Sequence, residues 1–280
     1  MNVSFLNIYR KIKTRNDFIF IIISFFIVLL LIFVVPEFFP NNYYALTNYD
    51  NINSAPTLKH IFGTDYLGRD VFIRVLMASK LSLQIAFITS IVSVLIGTIY
   101  GVISGYFGGK IDTIMMRIVD GLYAIPFIFL SILLVAIFGR NFLLIFIAIG
   151  CVSWLDIARV IRGQTLEIKN KEYILAAKIM GLSSTRIIFK HVLHNLISSI
   201  VIFTTLTVPS ILYTSTFLGF MGFGVQPPLA GLGELISDGS ANISIGYWWT
   251  LLFPCIFMII LVLLLNGISG IIKEIINDRS

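Results

Sequence analysis

The sequence predicts an all-α, polytopic membrane protein of about six transmembrane helices. Three observations lead there. Apolar residues make up 58% of the 280-residue chain and charged residues only 12%. Six stretches come close to or exceed the roughly 20 apolar residues that a helix needs to cross a bilayer. Lysine and arginine gather on one side of those stretches. A soluble domain covers its core with about 25% charged residues, and this chain has too few charges to build such a surface.

The spans follow from the need to pair every backbone group inside the bilayer. Residues 1–17 form a basic N-terminal segment, with Arg10, Lys11, Lys13 and Arg15, ahead of a first transmembrane helix at 18–36. Phe18–Val35 carries no charge and no small-residue cleavage site follows it, so it reads as a retained anchor rather than a signal peptide. Residues 37–79 form a polar extracytoplasmic segment, and 80–270 the membrane core. Within that core the expected spans are 80–104, 113–138, 142–162, 193–221 and 248–270, and residues 271–280 are the C-terminus. The second span carries Gly97, Gly101 and Gly105 at i, i+4 and i+8, a stripe that permits close helix packing.

The stretch 163–190 is too polar to be embedded. Ile174, Ala177, Leu182, Ile187 and Ile188 nevertheless recur among Lys and Glu, with Gly181-Leu182-Ser183-Ser184 as a break. This predicts two short helices joined by a turn and lying at the membrane surface. With the N-terminus in the cytoplasm, fifteen Lys and Arg residues fall on the cytoplasmic side and five outside, Lys59, Arg69, Arg74, Lys80 and Arg140. Both termini and the 163–190 loop are then cytoplasmic.

Several function classes are excluded. The net charge of +6 follows membrane topology rather than a nucleic-acid-binding face. Cys151 and Cys255 sit in apolar runs and form no disulfide framework. His60, His191 and His194 are too scattered for a metal cluster, so no metal site is expected. No phosphate-binding loop occurs, Gly109-Lys110 being followed by Ile111. No nucleophile has a base near it in the pattern, so no catalytic residue and no bound cofactor are expected, and the chain is not read as an enzyme. An ion-coupled secondary transporter stays as the alternative of a different class; it would show ionisable groups at mid-membrane, and the span centres are almost free of charge, Asp156 being the exception.

Glu172–Gly181 (EYILAAKIMG) followed by Arg186–Asn195 (RIIFKHVLHN) resembles the "EAA" loop of ABC-importer permeases. Four further segments resemble the dipeptide/oligopeptide/nickel branch of that family: Phe62–Phe72 (FGTDYLGRDVF), Asp112–Asp120 running on to Pro126, Ser153-Trp154 through Ala158-Arg159 to Gln164, and Gly222–Pro228 (GFGVQPP). The loop glutamate of the family is Leu175 here, a later proline is His194, and the glutamate common upstream of the last motif falls at Thr214.

The resemblance implies a type I ABC importer permease with 163–190 as its cytoplasmic coupling loop. It implies, as partners, a second homologous permease, one or two ATPase subunits that hold ATP and Mg, an extracytoplasmic solute-binding protein and membrane lipid, with no nucleic acid. Ala176 and Ala177 would allow close approach to the ATPase. Gly181 and Ser183 would make the turn, a role that a simple helix C-cap also fits. Leu182 would be the apolar anchor, and Arg186 would offer charge. Asp65, Arg69 and Asp70 would either order the outer segment by ion pairing or contact the binding protein. Arg117 and Asp120, at i and i+3, are expected to pair as a clamp. Peptides are the expected substrate class, with nickel or a metal chelate as the alternative.

Overall fold

A computed structural model describes residues 3–40, 43–126, 128–130, 133, 137 and 142–277, and the backbone alone of 3–16, 142–148, 151 and 277. Much of the second half of the expected third span, Arg140 and the terminal Asp278-Arg279 lie outside the described residues, as does the side chain of Cys151. Among the described residues all regular structure is helical. Four helical stretches are long and apolar enough to cross a membrane: Asp17–Phe38, Val71–Phe107, Ser184–Phe223 and Trp249–Ile276.

The chain divides into two compact units, residues 1–83 with 216–280, and residues 84–215. The first contains helix α1 (Val3–Val34), the following polar segment with its short 3₁₀ turns, and the start of α2 (Val71–Phe107). It is completed by α8 (Leu232–Asn242) and α9 (Trp249–Asn277). α1 is apolar all round its spanning part: Phe20, Phe26 and Leu30 are exposed and only Ile32 is buried, as suits a helix that faces lipid. Gly267 of α9 admits Ile21, whose Cγ2 would lie 3.0 Å from an added Cβ. α8 lies against α9 so closely that a Cβ on Gly239 would be 2.5 Å from the Thr250 carbonyl oxygen. Phe62 stacks on Phe253 with ring centroids 3.9 Å apart, and Trp249 Nε1 donates to the Thr64 carbonyl at 3.0 Å.

α2 begins nine residues earlier than the expected span. Arg74 and Lys80 look like span limits in the sequence, but both are paired, Arg74 with Asp65 and Lys80 with Glu37. The helix can therefore start at Val71, where Asp70 caps it by accepting the Ile73 N–H at 3.2 Å.

The second unit holds the rest of α2, then α3 (Gly109–Tyr123), α4 (Phe142–Lys169), α5 (Glu172–Ile179), α6 (Ser184–Ile187) and α7 (Leu193–Leu218). α6 is not a separate surface helix as expected. A π-helical turn at Ile188–Val192 joins it directly to α7, because nothing between Ser184 and Leu218 except this turn and Pro209 interrupts helical pairing. α2 packs on α4 backbone to backbone. A Cβ on Gly97 would meet Ile157 Cβ at 2.7 Å, one on Gly101 the Ala158 carbonyl at 2.6 Å, and one on Gly105 the Arg162 carbonyl at 2.8 Å. In hydrocarbon the hydrophobic effect offers no drive to pair helices, so this close packing supplies the attraction.

Candidate functional site

The 163–190 loop is built on the end of α4, which runs to Lys169, and on α5. Glu172 in the first turn and Lys178 in the last suit the helix dipole of α5. α5 then ends in a paired C-cap. Gly181, at φ +79°, gives its N–H to the Lys178 carbonyl at 3.0 Å, and Leu182 gives its N–H to the Ala177 carbonyl at 3.1 Å. This is the Schellman arrangement, and it requires a residue comfortable at positive φ. Ser183 starts α6, its Oγ accepting the Arg186 N–H at 3.4 Å.

One face of the loop is turned into its own unit. Ile174, Ala177 and Ile187 are buried with Ile161, Ile168, Tyr106 and Leu196, and Leu182 packs against that cluster. Burying such side chains out of water stabilises by about 1.5–3 kcal/mol each. The opposite face is apolar and open: Ile179 is 87% exposed, Met180 73% and Phe189 69%. The structure thus separates the residues singled out from the sequence. Ala176, Ser183 and Arg186 face outward, whereas Ala177 is buried. Leu182 is not an outward anchor: as the residue after the left-handed Gly181 it makes the apolar contact that accompanies that motif. Ile179 and Met180, just before Gly181, occupy the outward position, and their place in an apolar pair ahead of the glycine was the available signal.

Basic residues beside the loop are tied back to α3. Arg162 holds Asp112 at two points, Nε–Oδ1 2.5 Å and Nη2–Oδ2 2.6 Å, and Ser104 Oγ donates to the same Oδ1. The Arg162 hydrogen bonds hold the Asp112 carboxyl below the usual carboxylate range. Arg159 pairs with Asp120 at 2.9 Å and stacks over the Tyr123 ring. The expected Arg117–Asp120 clamp is therefore absent among the described ion pairs.

In the segment between α1 and α2, Asp65, Arg69 and Asp70 are all buried. Asp65 Oδ1 accepts the Leu67 and Arg69 N–H groups at 2.9 and 3.0 Å, and Oδ2 accepts Arg69 Nε at 2.7 Å and the Arg74 guanidinium. Asp70 Oδ2 lies 2.8 Å from His60 Nδ1. These charges fold the segment on itself.

A residue that sequence reasoning passed over completes this unit. Glu234, in the first turn of α8, is enclosed by glycines: a Cβ on Gly219 would be 2.7 Å from its Oε2, and one on Gly231 2.8 Å. Its Oε1 accepts the Val225 N–H. Burial pushes its carboxyl above the usual range. A lone glutamate within a Gly- and Pro-rich stretch was the signal for it.

Several long apolar helices with a basic, capped loop ahead of one of them mark a multi-pass membrane protein. The chain belongs to the family of binding-protein-dependent transport system inner membrane components, whose model matches residues 97–280. It is 41% identical over 261 residues to the oligopeptide transport system permease protein OppC of Haemophilus influenzae, covering 92% of this chain and 83% of that one. It is 40% identical over 227 residues to the dipeptide transport system permease protein DppC of Bacillus subtilis, covering 81% and 71%. In fold it is similar to the inward-facing MetNI methionine ABC transporter, with a TM-score of 0.60 at 22% identity over 72% of this chain and 96% of that one.

Proposed function

We propose that this chain is one of two permease subunits of an ATP-driven importer of oligopeptides or dipeptides, and that it takes up solute delivered by an extracytoplasmic binding protein. The peptide assignment is supported by relatives named for oligopeptide and dipeptide transport. The observation that carries the role is the loop: a rigid, capped turn whose inner face is anchored in its own unit and whose outer face presents Ile179 and Met180 to a partner. Such exposed apolar residues on a basic loop suit docking into a groove on an ATPase subunit. ATP and Mg bind there, not on this chain. Closure of the two ATPases draws the loops together and rocks the helices between inward- and outward-facing states. The lysine and arginine asymmetry supports cytoplasmic termini and a cytoplasmic loop in the bacterial inner membrane.

The test is gentle purification of the tagged chain from its own membranes. A second permease, one or two ATPases and a binding protein are expected to accompany it. Replacing Ile179 and Met180 together by Asp is expected to reduce ATPase recovery at least about tenfold while the chain remains inserted. A chain that emerges alone, or ATPase recovery indifferent to these substitutions, overturns the docking assignment.

A further inference from the structure

Within the second unit, α4 and α7 face one another across an open cavity of about 470 Å³, within the usual size of a solute-binding cleft. From α4 it is lined by Ser153, Asp156 and Val160, and from α7 by Thr207, Ser210 and Thr214. Asp156 is exposed and enters no described ion pair or hydrogen bond, whereas Asp112 and Asp120 are each held by an arginine. It lies near the middle of α4, the one carboxylate of this cavity. A carboxylate at that level cannot face hydrocarbon cheaply, so it faces water, solute or another protein group.

The hydroxyls around the cavity sharpen the choice. Ser153 Oγ donates to the Ile149 carbonyl at 2.9 Å, Thr207 Oγ1 to the Phe203 carbonyl at 2.6 Å, and Thr214 Oγ1 to the Ser210 carbonyl at 2.9 Å. These three hydroxyl protons are directed back along their own helices, while Ser210 Oγ enters no described hydrogen bond. Those three offer the cavity oxygen lone pairs, beside the Asp156 carboxylate. A cavity whose one charge is negative and whose polar groups are mostly acceptors fits a donor-rich cation better than an anion.

We infer that Asp156 is the charge-selecting residue of the translocation pathway, pairing with the ammonium or guanidinium group of a cationic peptide as it passes between α4 and α7. The inference rests on the peptide-importer reading. Because every peptide carries an α-ammonium group, the selective effect appears between peptides that differ in side-chain charge.

The experiment uses the complete importer with its own binding protein and ATPases in proteoliposomes. Uptake of Ala-Lys-Ala is compared with that of Ala-Glu-Ala, and the ratio is read within each preparation. Affinity of the binding protein for the two peptides is common to all variants and cancels. Asp156→Asn is expected to lower the Lys/Glu ratio about tenfold, as loss of one modest charge pair would. Asp156→Glu, which keeps the charge, is expected to retain the ratio. Ser153→Lys, which sets an ammonium one turn from an intact Asp156, supplies an independent variant and is expected to lower it likewise. A partly assembled variant loses both uptakes together and leaves the ratio readable. If wild type takes up both peptides and the ratio is unmoved by Asp156→Asn and Ser153→Lys, Asp156 answers a group on a partner subunit and the inference is overturned while the peptide reading stands. If the wild-type importer moves neither peptide, the peptide reading fails and the inference with it.

Discussion

Arg162 and Asp112, fifty residues apart in the chain, meet in a two-point contact with a second acceptor site filled by Ser104. The planar guanidinium matches the carboxylate edge, which a lysine cannot do. The contact ties α3 to α4 just before the loop, so the loop is carried by two helices rather than one.

Arg162→Lys is expected to keep the charge but lose the fork, costing about 1 kcal/mol because the pair is partly solvated. The acid side follows from the lowered Asp112 carboxyl. The fold favours its charged form, so its contribution is fully present above about pH 4, the unfolded value, and is lost as pH falls through the lower folded value. Thermal unfolding of the detergent-solubilised complex across the acid range should show this loss in wild type and not in Asp112→Asn.

Gly181 has no atom within 4 Å of an added Cβ, so a substitution there meets strain and not collision. Gly181→Ala is expected to cost about 1–2 kcal/mol from the left-handed backbone alone. Gly181→Asn should cost less, since Asn visits that region more readily. Hydrogen exchange of the Gly181 and Leu182 amides, both donors in the cap, should rise in the order wild type, Asn, Ala.

Gly101 is the opposite case. A Cβ there would lie 2.6 Å from the Ala158 carbonyl oxygen and 2.9 Å from the Arg162 nitrogen, both backbone. Gly101→Leu must push α4 away and is expected to destabilise by about 3 kcal/mol or more. Gly163, also helical, has open space around its Cβ position, and Gly163→Ala is expected to stabilise by up to about 1 kcal/mol through helix propensity. Apparent Tm values of the two variants should move in opposite directions.

Glu234 tests the raised carboxyl of the first unit. Its neutral form is the one the fold prefers, so stability from this group declines as pH rises from the unfolded value near 4 through the higher folded value, and is level above it. Glu234→Gln keeps an oxygen for the Val225 N–H and should remove that decline. Glu234→Ala leaves the N–H without its acceptor and is expected to cost about 1–3 kcal/mol. Melting curves of both variants between pH 4 and 8 separate the two effects.

The sequence by itself determined the membrane class, the approximate limits of four apolar spans, the helical and turn character of 163–190, and the glycine stripe of α2. Each is written in local composition or short-range spacing, which decides whether backbone can be paired in hydrocarbon and where a chain can bend. It did not determine partners. Asp120 had Arg117 one turn away, yet Arg159 takes it; Leu182 looked free to project outward, yet the cap of α5 lays it, partly buried, against the core and leaves Ile179 and Met180 outside. α2 starts at Val71 because Asp65, nine residues before Arg74 in a folded loop, neutralises it. Ion pairs and buried faces depend on which helix stands opposite, a relation between residues distant in the chain, and only the tertiary structure decides it.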